Sequence, residues 1–266
     1  MGPPGSDLEC ELSNYYIESD AGTRTPAEEA TRELLVLLLD CSGSLGPDRS
    51  DKSAPPPIDE LNAAVEHFMQ TSIHAVPTLD TCGEIAIGIF RGEDVHWLEL
   101  SGDATNHPFY YINDQRSFPA QKAWGRTPLT EAVLAARQVV QTRKNAMRAD
   151  GIIHGHRPNI FLVTDGLPST SWVHLPDILR KDERDKKFLF WILGTHGAND
   201  QVLGKIAAPK AYLPLKGVSI AEVIDFLSRS LGVLENSGSE REASEYYEQI
   251  HKMAEDIVRR HNEILG

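Results

Sequence analysis

The feature that most constrains this chain is the run Leu34-Leu35-Val36-Leu37-Leu38-Leu39, which stops abruptly at Asp40-Cys41-Ser42-Gly43-Ser44. Six successive apolar residues leave no polar face, so the segment reads as a strand covered on both sides, at the centre of a parallel sheet. Such a strand delivers its last residues to the carboxyl edge of the sheet, where open α/β folds bind ligands. What arrives there is Asp-x-Ser-x-Ser, with oxygen donors on alternate residues and Gly43 allowing a tight turn between the hydroxyls. Alternation sends Asp40, Ser42 and Ser44 one way and Cys41 into the core. Oxygen donors without imidazole or thiolate suit magnesium, manganese or calcium rather than zinc.

Composition narrows the setting. The chain has 266 residues, 41% of them hydrophobic, and every apolar run is far shorter than a membrane span. No basic start followed by an apolar stretch opens the sequence, so no secretory signal is expected. The three cysteines, Cys10, Cys41 and Cys82, cannot all pair, and two sit in apolar strand contexts. Buried thiols in a reducing cytoplasm are the expectation. A net charge of −13 without a Lys/Arg cluster argues against nucleic acid or an anionic membrane as partner.

In chain order, residues 1–31 read as a flexible tail whose only apolar cluster is Tyr15-Tyr16-Ile17. After the central strand, residues 46–57 form a Pro- and Ser-rich insertion beside the oxygen-rich loop. A helix is predicted from Ile58 to Ile73, then strands over 84–90 and 95–100 joined by a short turn. So tight a link makes an antiparallel hairpin, which places one reversed strand at the sheet edge. Residues 101–124 read as a surface loop, with a short helix near 111–118. Trp124-Gly125-Arg126-Thr127-Pro128-Leu129 then introduces a helix over 130–148. Strand 159–166 ends in Thr164-Asp165-Gly166, repeating the opening theme of an apolar strand that ends in Asp. Helix 175–185, strand 188–194, helix 200–207, a short strand at 211–213 and helix 220–231 complete the alternation. The fold class is α/β, a doubly wound, mostly parallel sheet with one antiparallel edge strand. The predicted division is a domain over 32–233, a linker over 234–239 and an amphipathic helix over 240–266.

Asp40/Ser42/Ser44, Thr127 and Asp165 thus fall on one sheet edge. Asp-x-Ser-x-Ser, Gly-x-Thr-Pro-Leu and a strand ending Thr-Asp-Gly, in that order, resemble the metal-ion-dependent adhesion site (MIDAS) of von Willebrand factor A (vWA) domains. The resemblance covers about 32–233 and is nearest to bacterial cytoplasmic vWA proteins of the tellurite-resistance type. That family shares the Leu-rich strand, Thr-Asp-Gly-x-Pro followed by a Trp (here Trp172) and the late helix–strand–helix. It implies a vWA/Rossmann-like fold and a magnesium ion held by Asp40, Ser42, Ser44, Thr127 and Asp165. It also implies stress or defence signalling beside kinase-like and metal-dependent phosphatase proteins.

The residues carry their own logic. Neutral hydroxyl ligands leave a dication electrophilic, so a carboxylate from a protein partner can complete its coordination. Catalysis is not expected, because a phosphatase of the haloacid dehalogenase type needs a second Asp where Ser42 stands. No activated nucleophile with its base lies nearby in sequence. The alternatives are a vWA subunit working with a hexameric ATPase, which would carry the same site, a secreted adhesion module, which should have a signal sequence and paired cysteines, and a metal-dependent hydrolase.

Trp124, Trp172 and Arg126 flank the ligand loops and read either as a partner-binding rim or as ordinary packing and surface. His154, His156, His174 and His196 read as solvated loop residues rather than a zinc site. Ala243, Tyr247, Ile250, Ala254, Ile257, His261 and Ile264 form a heptad seam that can dock on its own domain, pair with a second copy or bind a partner.

Overall fold

The computed structural model describes residues 31–47, 55–98, 107–114, 116–236 and 243–265. The tail (apart from Thr31) and the greater part of the 46–57 insertion fall outside the described residues. Strand β1, Thr31–Asp40, is central, with β2 (Gly83–Arg91) on one side and β6 (Asn159–Thr164) on the other, both parallel to it. Beyond β6 lie β7 (Leu189–Gly194) and β8 (Tyr212–Pro214), also parallel. The main path runs β3-β2-β1-β6-β7-β8, where β3 is Asp94–Trp97. The two-residue strands β4 (Tyr110–Tyr111) and β5 (Ile153–His154) pair off this path with β2 and β1.

The outer partners of β2 run backwards. The reversed strand expected from the Arg91–Asp94 turn is β3, which pairs antiparallel with residues 88–91 of β2. The lower half of the same edge is taken by β4, where a helix near 111–118 was expected. Among the described residues there, only Ile112–Asp114 is helical, as one 3-10 turn. The sequence signal was misleading because Tyr110 and Tyr111 act through pairing with a distant strand.

Every residue from Leu34 to Leu39 is buried, as a strand covered on both faces requires. At roughly 1.5–3 kcal/mol for each large aliphatic side chain withdrawn from water, this strand alone is a major part of the driving force. Helix α1, Pro57–His67, starts on a proline at its first turn and buries Ile58, Leu61, Ala64 and Val65 at helical spacing. It does not run on as an α-helix to Ile73. A π turn at Phe68–Ser72 and a 3-10 turn at Ile73–Ala75 close it, and the short helix α2, Pro77–Cys82, follows. The altered pitch keeps Phe68, Met69 and Ile73 all buried.

Helix α3, Leu129–Ala149, packs on β1, β2 and β3 with Ala132, Val133, Ala136 and Val140 inward. The remaining helices are α4 (Leu175–Arg184), α5 (Asp200–Ile206), α6 (Ile220–Asn236) and α7 (Ala243–Leu265). Ser219 and Glu222 form a reciprocal cap at the start of α6, each accepting the other's backbone N–H. This helix continues past the expected end at Leu231 into the segment read as a linker. Helix α7 docks on its own chain: Tyr247, Ile250, Ala254 and Ile257 are buried, and the Tyr247 ring meets Trp191 edge-on at 4.6 Å. These four seam positions therefore face the chain's own domain.

Among the described residues, no helix is long and apolar enough to cross a membrane.

Candidate metal centre at the carboxyl edge

The chain leaves β1 towards β2 on one side and later reaches β6 on the other, so the strand order reverses at β1. A crevice opens at such a switch point. Asp40 is the last residue of β1, and Asp165 follows directly on Thr164, the last residue of β6. Parallel register places these two carboxylates side by side, although 124 positions separate Asp40 from Thr164.

The loops then close on each other. Ser42 N donates to Asp40 Oδ1 at 2.9 Å, which folds the loop back over its own strand. Ser42 Oγ and Ser44 Oγ lie 3.0 Å apart, and Ser44 Oγ donates to Asp165 Oδ1 at 2.8 Å. Gly43 N donates to Gly125 O at 3.0 Å and Trp124 N donates to Cys41 O at 3.1 Å, tying the loop before α3 to the loop after β1. Gly125 holds φ +75 there and packs so closely on Gly92 that a Cβ would sit 2.7 Å from its Cα. That tie carries Thr127 to the site. A Cβ on Gly166 would lie 3.1 Å from Thr127 Oγ1 and 3.6 Å from Asp40 Oδ2, so both atoms border one small space beside Gly166.

All five residues singled out from sequence thus meet at one place. Asp40, Ser42, Thr127 and Asp165 are buried, while Ser44 lies exposed at the mouth. The electrostatics are unusual for an empty protein interior. Burial, followed by the nearby Asp165 charge, raises the Asp40 carboxyl to about 7. Burial also raises Asp165, against the opposing Ser44 hydrogen bond. Two desolvated carboxylates facing one another are costly, and a bound dication would remove that cost.

The donor set fits such an ion. Adjacent ligands of an octahedral ion with bonds near 2.0–2.1 Å stand about 2.9 Å apart, on simple geometry. The Ser42–Ser44 and Ser44–Asp165 separations of 3.0 and 2.8 Å match that spacing. Among the described residues, no group of three or more His, Cys, Asp or Glu could hold a metal, so hydroxyls must supply part of the shell. His156 faces Glu33, with Nδ1 at 2.8 Å from its carboxylate at the opposite edge of the sheet.

One functional residue was missed. Thr164 is buried and donates its hydroxyl to Asp40 Oδ2 at 2.5 Å, while accepting Gly166 N at 3.2 Å. It fixes the orientation of the Asp40 carboxylate. The Thr-Asp-Gly motif contained the signal, but attention fell on its aspartate.

The rim residues divide. Trp124 is 52% exposed, with its ring over Gly92 and the Arg91 guanidinium 5.8 Å from its centroid. Arg126 is exposed and has no ion-pair partner among the described residues. Trp172 is partly buried and packs against the core, so its ring serves packing. Leu167 and Val173, at 54% and 66% exposure, are large apolar residues on the same loops that the sequence did not mark out.

No family model matches the sequence, and no curated protein does. Solved structures do. Proximal thread matrix protein 1 from the mussel byssus matches with a TM-score of 0.50 at 13% identity, over 76% of this chain and 48% of that one. A second structure of that mussel protein, described as having a zinc-occupied MIDAS motif, matches with a TM-score of 0.50 at 15% identity, over 77% and 46%. The fold is a vWA-like α/β fold. The chain spans about half the length of the mussel protein. The VWA domain of SpRpn10 is also similar, with a TM-score of 0.48 at 10% identity over 73% and 94%. In this vWA-like frame the candidate site described above occupies the carboxyl edge, at the mouth between β1 and β6.

Proposed function

We propose that this chain is a metal-dependent protein-binding domain whose partner presents an Asp or Glu to the ion. The observation that carries this reading is the pair of desolvated carboxylates, Asp40 and Asp165, with the Ser42 and Ser44 hydroxyls at spacings that suit a small hard dication and the Thr127 hydroxyl bordering the same space. Magnesium suits these donors best, with manganese or calcium as substitutes. When bound, the ion supplies a Lewis-acidic coordination position facing solvent. The protein residues hold it and fix its orientation: Thr164 positions Asp40, and the Gly43–Gly125 hydrogen bond sets Thr127. Exposed Trp124, Leu167, Val173 and Arg126 give a partner apolar area and one cation around that position.

The role is adaptor rather than enzyme. The hydroxyls at the site lie beside carboxylates and hydroxyls, and no imidazole or amine among the described hydrogen bonds could activate one as a nucleophile. The finer reading, carried by the tellurite-resistance resemblance, is a cytoplasmic adaptor in a stress or defence system with kinase-like and phosphatase partners. An assembly with a hexameric ATPase would use the same site.

The test is capture on the immobilised chain, with bound proteins identified in magnesium and in chelator. Retention should require the metal and should be weakened in Thr127→Ala, with magnesium binding followed separately by calorimetry. Partners retained equally in chelator would place the interaction elsewhere. Unchanged magnesium affinity in Asp40→Asn would remove the metal centre itself.

A further inference from the structure

Along the middle of α3, a cleft of about 380 Å³ lies between α3 and α4, floored by Lys187 and Phe188 just before β7. Its polar lining is dominated by Arg137, Lys144 and Lys187 around one carboxylate, Asp182, which is fully buried. Arg137 Nε donates to one Asp182 oxygen, and Lys187 Nζ donates to the other at 2.9 Å. One buried charge is thereby neutralised by two cations. Asp185 gives Lys187 a second, longer contact at 3.8 Å from a half-exposed position.

Lys144 adds a third cation. Its ammonium donates only a long 3.4 Å hydrogen bond to the Lys187 carbonyl, and no carboxylate among the described residues lies within ion-pair distance. Burial lowers its pKa, and the charges of Arg148 and Lys187 lower it further. A partly buried ammonium repelled by its neighbours lacks a counter-charge. This occurs on a protein whose net charge is −13, where a random patch would be acidic. The cleft also has an apolar side: Val140 and Phe188 line it, and Leu134 is 39% exposed at its lip.

We propose that this cleft is a binding site for a small organic phosphate, its oxyanion held by Lys144 and Lys187 and its apolar body laid against Leu134 and Phe188. The unpaired Lys144 ammonium supplies the charge, the Gln138 amide lines the same space, and the volume admits a ring-sized ligand.

The probe is phenyl phosphate, titrated into the full chain in chelator so that no metal ion can bind the phosphate. Backbone amide shifts should saturate around residues 134–144 and 182–188. Inorganic phosphate should move the same signals more weakly, and phenol should leave them unmoved. Lys144→Gln should weaken phenyl phosphate roughly tenfold, the scale of one charge-assisted hydrogen bond. Lys144→Arg should retain binding, and Leu134→Asp, which places a carboxylate at the lip, should abolish it without touching the Asp182 cluster. The proposal is overturned if wild-type shifts do not saturate, if they centre elsewhere, or if Lys144→Gln and Leu134→Asp both bind like wild type. The metal reading is untouched by any of these results, because chelator removes the ion throughout.

Discussion

Replacing Asp40 by Asn tests the physical basis of the metal centre directly. Asn keeps the size of the side chain and its Oδ1 acceptor for Ser42 N, and it removes the charge. In the metal-free protein that charge is a liability. The Asp40 carboxyl is raised to about 7 by burial and by Asp165, whereas an unfolded Asp titrates near 3.9. The groups facing it are Asp165, Thr164 and Ser42, with the His196 charge acting on Asp165 to lower its pKa. A carboxyl held above its unfolded value binds more protons in the folded state. Stability therefore falls as pH rises from about 4 to about 7, and the full penalty is present above that window.

Three pKa units correspond to about 4 kcal/mol, and the Thr164 hydroxyl, which loses an anionic acceptor, takes back on the order of 1–2. In chelator at about pH 8, the Asn variant should be more stable than wild type by about 2–3 kcal/mol, a rise in Tm of roughly 5–10 °C. At about pH 4 the electrostatic part of the difference should shrink to less than about 1 kcal/mol, because Asp40 is then protonated in the folded state and about half protonated in the unfolded one. Magnesium should reverse the order. Wild type gains about 4.1 kcal/mol at a thousandfold excess over Kd, and the variant gains almost nothing. Calorimetric melts at both pH values, with and without the ion, measure all four numbers. If the Asn variant is less stable than wild type in chelator at the higher pH, or if the difference does not depend on pH, the electrostatic argument fails.

Gly166→Ala should lower magnesium affinity with little loss of fold, since its Cβ would press within 3.1 Å of Thr127 Oγ1; unaltered calorimetric affinity would put Thr127 outside the coordination sphere. Glu84→Gln should cost about 3–5 kcal/mol in urea denaturation, because Glu84 accepts a bidentate pair from Arg143 at 2.5 and 2.6 Å and also faces Arg32 at 3.5 Å, and two buried guanidiniums would lose their anion. Tyr247→Ala should cost about 3–5 kcal/mol and expose the α7 amides to hydrogen exchange, whereas protection equal to wild type would show that α7 is held by other contacts. Thr127→Ala should weaken partner binding by about 1–3 kcal/mol while moderate salt weakens it little, as expected when a local ion and not the overall field of a −13 protein makes the contact.

The sequence by itself determined the centre of the fold. Leu34 to Leu39 can only be a doubly covered strand, and a strand that ends in Asp40, Ser42 and Ser44 must deliver them to the carboxyl edge. The alternation of strands and helices, the Arg91–Asp94 reversal and the two aspartates at strand ends were legible for the same reason, because each follows from local periodicity and turn chemistry. What the tertiary structure decided depends on partners remote in sequence. Tyr110-Tyr111 becomes a strand only because β2 has a free edge there, and α1 changes pitch because three large side chains must all reach the core. Thr164 acquires its role from Asp40, 124 positions away, and Lys144 is left without a counter-charge only because α3, α4 and β7 bring Arg137, Asp182 and Lys187 around it. Local pattern dictates which face is apolar and where a turn falls. Which charges meet, and which are left unpaired, is set by the packing of elements that the sequence alone does not align.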